Sequence, residues 1–265
     1  MQLQLAKSNY HLTIVGAGQP TWVLLHGFMS CGLDYLDLVQ SLPGRFILPD
    51  LLGHGATKAN EDYPYTMAHQ VDDLNTLLTQ IVGDSPINLW GYSMGGRVAI
   101  AFAATYPDRI AQLYLESTRP GINNKPERLK RQHHDANLAA QLLSGSLADF
   151  VDRWEALPLF ASQARLKPVL KTQIRQGRLA QAKHQLAESL IEMGTGAQPS
   201  YWANLRDFNF QTTVITGQLD HKFTQIGQDM LQALPQGYSR TIPNVGHNVH
   251  LEAPETVRKI LKLEG

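Results

Sequence analysis

Ser93 lies in Gly91-Tyr92-Ser93-Met94-Gly95, a G-x-S-x-G pattern that follows the apolar run 87–90 and opens the helix-forming run 94–105. Strand, tight turn and helix in that order predict a nucleophile elbow, where glycines on both sides let strand and helix approach closely around a strained serine. The helix N-terminus beneath the serine favours negative charge beside it. A serine hydroxyl is a poor base or nucleophile until a histidine takes its proton, and that histidine needs a carboxylate to fix its tautomer and stabilise its cation. Two partners must follow the elbow, acid first and histidine second. Asp220 follows the run 213–216 in a loop, and His247 ends the late loop Pro243-Asn244-Val245-Gly246-His247. Among ten histidines, His250 and His221 are the rivals of His247; Glu116, after the elbow helix, is the rival of Asp220.

Other residues around this set carry charge or donors. His26-Gly27-Phe28 follows the run 22–25, where backbone N–H groups of Phe28 and Met94 would form an oxyanion hole aimed at developing negative charge. His26 reads as a brace for that loop, and Asp50-Leu51-Leu52-Gly53-His54-Gly55 as scaffold. Arg97 stands near the start of the elbow helix, where an apolar pocket would have little use for a cation. Arg119, Lys125, Arg128, Lys130 and Arg131 cluster against a single acid, Glu127, and Arg175 and Lys222 extend the positive set. Arginine binds carboxylates at two points, so an anionic small-molecule substrate is expected.

The elements that must position these groups are readable from periodicity. Runs 11–15, 22–25, 45–48, 87–90, 112–115 and 213–216 read as strands, and 66–82, 94–105, 224–234 and 254–263 as helices. That succession predicts an α/β fold: a mostly parallel central sheet with helices on both faces and the site at the strands' C-terminal ends. Gly16-Ala17-Gly18-Gln19-Pro20 reads as a hairpin turn between the first two strands. Residues 120–202 lose the strand pattern and read as an inserted helical cap, with helical stretches 126–143, 147–156, 163–176 and 179–193; 1–119 and 203–265 form the core. An insertion of that length is usually functional.

Lysine plus arginine number 23 and aspartate plus glutamate 23, so overall charge points to neither nucleic acid nor an anionic membrane surface. The first ten residues lack the charged and apolar segments of a signal peptide, and no segment approaches spanning length, which predicts a cytoplasmic enzyme. Cys31 is the only cysteine; it permits no internal disulfide and reads as a passive residue, and no metal site is expected.

Taken together, Tyr92-Ser93-Met94-Gly95-Gly96-Arg97, the segments 116–121, 154–160 and 220–223, and Gly246-His247-Asn248-Val249-His250 make the chain resemble the 2-succinyl-6-hydroxy-2,4-cyclohexadiene-1-carboxylate synthases of menaquinone biosynthesis, within the α/β-hydrolase superfamily. The resemblance runs through nearly the whole chain. It implies a cofactor-free lyase, monomeric or weakly oligomeric, that eliminates pyruvate from 2-succinyl-5-enolpyruvyl-6-hydroxy-3-cyclohexene-1-carboxylate. Ser93, activated by His247 and Asp220, would be the base, and the Phe28 and Met94 amides would stabilise the enolate. Tyr92, Arg97, Trp154, Arg175 and Lys222 match positions that shape the family's pocket or bind carboxylates. His133 stands where the family has another cap arginine, leaving Arg128 or Arg131 to supply that contact. The alternative is a serine hydrolase acting on a small carboxylated substrate; a receptor-like binding protein is disfavoured by the complete set of reactive groups.

Overall fold

A strand covered on both faces needs apolar side chains in consecutive positions, because successive residues point to opposite sides. In the computed structural model, which describes residues 1–263, the strands are β1 (Gln2–Gln4), β2 (Ser8–Ala17), β3 (Thr21–Leu25), β4 (Gly44–Pro49), β5 (Lys58–Ala59), β6 (Ile87–Tyr92), β7 (Ile110–Glu116), β8 (Gln211–Gly217) and β9 (Gly237–Ile242). β3 and β6 are buried at every position. They lie in the middle of a sheet ordered β1-β2-β4-β3-β6-β7-β8-β9, with β5 paired to β2. From β4 to β9 all pairings are parallel, and β2 joins β4 antiparallel.

The helices are α1 (Leu36–Val39), α2 (Met67–Val82), α3 (Met94–Thr105), α4 (Lys125–Ser144), α5 (Leu147–Glu155), α6 (Pro168–Leu179), α7 (Lys183–Glu192), α8 (His221–Ala233), α9 (Val249–Glu252) and α10 (Pro254–Leu263). Val23 and Leu25 of β3 join the cluster that contains Leu74 of α2, Val98 of α3 and Met230 of α8. Trp22 and Leu24, on the other face, join Leu38 of α1 and Val257 of α10. Helices thus cover both faces, as the unbroken apolar strands require. Between β7 and β8 the chain forms α4 to α7, of which α4, α5 and α7 share a separate cluster of Leu142, Phe150, Leu186 and neighbours over Met29 and Phe28.

Several expectations need correction. Residues 16–20 do not make a hairpin, because β4 lies between β2 and β3; the turn crosses the start of β4, where Arg45 N donates to Pro20 O at 2.9 Å. β9 carried no apolar signal, being exposed at four of its six positions as an edge strand, and β1 and β5 are too short to show a period. The expected helix 163–176 is broken: Pro158–Arg165 forms a 3-10 turn and α6 begins at Pro168, since proline suits a first helical turn and pushes the residue before it toward extended backbone. The expected helix 179–193 begins only at Lys183. α8 starts three residues before the expected 224, because Asp220 caps it by accepting from Phe223 N. Glu264 and Gly265, the end of the expected 203–265 segment, lie outside the described residues. No helix among the described residues is long and apolar enough to cross a membrane.

The crossing over β4 depends on Gly16, whose φ is 71° and whose missing Cβ would overlap the Gly44 carbonyl oxygen. Gly16→Ala should lower unfolding free energy in urea by about 1–3 kcal/mol. Gly18→Ala, at φ 82° but in open space, should cost less.

Candidate active site

The elbow forms because its glycines let backbones touch. A Cβ on Gly91 would lie 2.5 Å from the Gly95 carbonyl oxygen, and Ser93 is held at φ 50°, ψ −104°, a region a non-glycine residue enters only under constraint. That constraint is visible: Ser93 N donates to Glu116 O at 2.8 Å, and Thr118 Oγ1 donates to Ser93 O at 2.7 Å. Ser93 Oγ then lies 3.1 Å from His247 Nε2, and His247 Nδ1 lies 2.6 Å from Asp220 Oδ2. An ionised carboxylate only accepts, so Nδ1 carries the proton and Nε2 is free to accept from the Ser93 hydroxyl. Asp220 Oδ1 accepts from Phe223 N at 3.2 Å, which fixes the carboxylate to the start of α8. His247 and Asp220 are 2% and 6% exposed, so their hydrogen bond is shielded from water. Chemically, this chain of bonds can take a proton from Ser93 and hold the resulting imidazolium.

The residues that rivalled His247 and Asp220 are occupied elsewhere. Glu116 accepts from His250 N at 3.0 Å, from His250 Nδ1 at 2.9 Å and from Trp90 Nε1 at 2.9 Å. Both partners are buried, and the His250 ring packs tilted against Tyr35 and edge-on against Tyr92. The two rivals therefore pair with each other beneath the elbow, and His221 is exposed on the first turn of α8.

Ser93, His247, Tyr92, Phe28 and Met94 open into a cavity of about 370 Å³, which Arg97, Arg131, Trp154 and Lys222 also line. Met94 is the first residue of α3, so its amide is one of the helix's unpaired N-terminal donors. His26 ties the Phe28 loop down: its Nδ1 donates to Gly27 O at 2.8 Å and its Nε2 accepts from Leu51 N at 3.0 Å. His54 packs edge-on against Phe28, and burial followed by the nearness of His26 holds its pKa down at about 3, so it stays neutral. Burial likewise pushes the Cys31 thiol up to about 12, so it remains a thiol.

Two expected residues do not reach this cavity. Arg175 turns away to pair with Asp152 at 2.6 Å and Glu155 at 3.0 Å, the two carboxylates that α5 presents to α6. Arg128 sits one turn nearer the start of α4 than Arg131, over the chain at Gly196; Arg131 reaches the cavity from there while bonded to Asp135 at 2.8 Å. His133 is exposed. Conversely Arg119 lines the cavity and was foreseen only as part of a charge cluster; its place three residues beyond β7 was the available signal, since strand C-termini carry function in such sheets. Thr195 and Ser189 also line it, with no signal in the sequence.

Arg97 is buried and donates through Nη1 to Met193 O at 2.7 Å and to Gln198 Oε1, both neutral acceptors. With no carboxylate bonded to it, burial and then repulsion from Arg131 lower its pKa to about 9. Lys222 is lowered too, by burial and then by Arg119 and Arg131. The Tyr92 phenol is raised well above its ordinary value by burial and then by Glu116, so it stays protonated. No group of three or more metal-binding side chains occurs among the described residues.

The family model for the alpha/beta hydrolase fold matches residues 20–254. A Bacillus subtilis (strain 168) protein carrying the name 2-succinyl-6-hydroxy-2,4-cyclohexadiene-1-carboxylate synthase is 42% identical over 90% of this chain and 88% of its own length. This chain belongs to that synthase family of α/β-hydrolase-fold enzymes. Among solved structures, MenH from S. aureus superposes with a TM-score of 0.90 at 33% identity, covering 95% of this chain and 96% of that one. A thermophilic esterase from Thermogutta terrifontis, solved with malate bound, gives 0.84 at 27% identity over 98% of this chain and 96% of that one.

The Glu116 and His250 pair is a structural bond within this site. Glu116→Ala strands the buried donors of His250 and Trp90 and should cost about 3–5 kcal/mol in chemical denaturation, far more than Asp62→Ala, which removes an exposed ion pair with Lys7 at 3.7 Å.

Proposed function

We propose that the chain is a cofactor-independent carbon–oxygen lyase that eliminates pyruvate from 2-succinyl-5-enolpyruvyl-6-hydroxy-3-cyclohexene-1-carboxylate to give 2-succinyl-6-hydroxy-2,4-cyclohexadiene-1-carboxylate. The observation that carries this reading is the set of four cations, Arg97, Arg119, Arg131 and Lys222, lining the cavity that holds Ser93. Only Arg119 and Arg131 have carboxylate partners, Glu127 and Asp135, so two positive charges are unmatched. That excess suits a substrate with several carboxylates, and it does not suit a neutral ester or lipid. Kinship to the Bacillus subtilis synthase supports the same substrate.

In this scheme Ser93 Oγ, its proton drawn to His247 Nε2, removes the ring proton next to the succinyl ketone. The C–H electrons move to the ketone oxygen, where the Phe28 and Met94 amides stabilise the enolate. Collapse of the enolate breaks the ring C–O bond and expels enolpyruvate, which takes a proton and becomes pyruvate. Asp220 holds the imidazolium through both steps. Residues 120–202 act as the cap, contributing Arg131 and Trp154, while Tyr92 and Arg97 face the substrate from the core. No covalent enzyme intermediate forms.

A serine-hydrolase reading is favoured by the 3.1 Å approach of Ser93 to His247, which equally suits nucleophilic attack, and by the likeness to the malate-bound esterase. The two separate by assay. Pyruvate release from the enolpyruvyl substrate above its spontaneous rate, lost in Ser93→Ala and reduced about ten-thousandfold in kcat by Asp220→Asn, is the expected result. No acceleration, or an acyl adduct on Ser93 by mass spectrometry, defeats the lyase.

Burial lowers the pKa of Arg97 to about 9 and leaves it a cation at neutral pH. Arg97→Ala should therefore raise KM for the anionic substrate at neutral pH, because a buried carboxylate loses its partner.

A further inference from the structure

A second cavity, of about 280 Å³, lies between the end of α5, the 3-10 turn Pro158–Arg165 and α6. Its size is near the lower end of the range for small-molecule pockets, about 300–1,000 Å³. Phe160 lines both this cavity and the one that holds Ser93, and no other lining residue is common to the two. The Phe160 ring is therefore the wall between them. Phe160, Gln163 and Arg178 are buried, at 7%, 9% and 9% exposure, whereas Leu157, Ala161 and Ala164 at the rim stand open to water. A buried floor under an exposed apolar rim favours an occupant with an apolar body, because covering that rim removes it from water.

The polar groups of the lining decide what that body carries. Gln163 Nε2 is buried with no acceptor among the described residues, and a buried amide donor left unpaired costs stability until something accepts from it. Glu155 and Arg178 pair at 2.9 Å, and Glu155 also holds Arg175 at 3.0 Å. Arg178 lies over the Phe160 ring as well, 5.6 Å from its centroid. Lys171 donates instead to a neutral acceptor, the Ala164 carbonyl, at 2.8 Å. An amide donor without an acceptor and a cation bonded to a carbonyl thus share one lining, and a carboxylate can satisfy both.

We propose that this cavity is a second small-molecule site, separate from the one that holds Ser93, and that it takes a monocarboxylate with an aromatic or branched apolar body. The carboxylate accepts from Gln163 Nε2 and Lys171 Nζ, and the body covers Phe160, Leu157 and Ile174. The inference does not rest on the lyase reading, since Ser93, His247 and Asp220 take no part in it.

The probe is phenylacetate, with 2-phenylethanol as its neutral counterpart, added to the full-length protein labelled with carbon-13 at the isoleucine δ1 methyls. The Ile174 resonance is assigned by its loss in Ile174→Val. Phenylacetate should shift that resonance saturably with a Kd of about 1 mM, and 2-phenylethanol should bind at least about tenfold more weakly. Lys171→Ala and Gln163→Leu should each weaken phenylacetate about tenfold. Because Gln163 Nε2 has no bond to lose in the free protein, Gln163→Leu should keep or raise the melting temperature. Arg97→Ala should leave the Ile174 titration unchanged, which separates this site from the cavity beside Ser93, and pyruvate release tests the lyase reading alone. The absence of a saturable shift at Ile174, equal binding of the alcohol, undiminished binding in Lys171→Ala or Gln163→Leu, or loss of the shift in folded Arg97→Ala would overturn the proposal.

Discussion

Ser93 at φ 50° is the constraint around which the rest is arranged. Such a backbone conformation costs about 1–3 kcal/mol and persists only where the surroundings over-determine it. Here they do so from three directions. Glu116 O and Thr118 Oγ1 hold the serine's own peptide groups, and the glycines at 91 and 95 let β6 and α3 close on each other and on β3. The sheet beneath is buried on both faces, so the strand that ends in Ser93 cannot yield. The strain then serves chemistry, because it lifts the hydroxyl clear of the turn and leaves the Met94 amide unpaired beside it.

The second organising term is electrostatic. Arg97 is buried with neutral partners only, an arrangement that costs stability in the free protein, since a desolvated cation is normally paired. Its lowered pKa expresses that cost. The cation is kept at the wall of the cavity, where the proposed anionic substrate would complete it. Arg175, satisfied by two carboxylates at 2.6 and 3.0 Å, illustrates the opposite case: a cation already neutralised has little to gain from a ligand.

The parts of this site that could be read in the sequence are those with a local physical signature. G-x-S-x-G between an apolar run and a helix, and a late glycine-histidine loop, each state their geometry within a few residues. The central strands were legible for the same reason, since burial on both faces writes an unbroken apolar run. β9 was not, because an edge strand facing water needs no such run. Nor was the split at Pro168, where helix formers on both sides masked one proline's effect. Arg175 and Arg131 are indistinguishable as residue types, and Arg131 has Asp135 four residues on within α4; what turns Arg175 from the cavity is the pair of acids that α5 brings up to α6, Asp152 and Glu155. That information is tertiary and has no local trace.

The histidine loop makes the same point in the opposite direction. Two carboxylates hold it, and they differ in what they are attached to. Glu116 belongs to β7, is wholly buried, and anchors His250 to the same peptide that restrains Ser93. Its bond cannot change without disturbing the sheet, so it sets a fixed reference. Glu252 lies in partly exposed α9 and takes one of its two bonds from Ser162, in the stretch between β7 and β8. His247 sits between the two, three residues from His250 and one from Gly246. A loop pinned at one end to the sheet and at the other to Ser162 holds its histidine between two supports, and Asp220 fixes the ring itself at 2.6 Å.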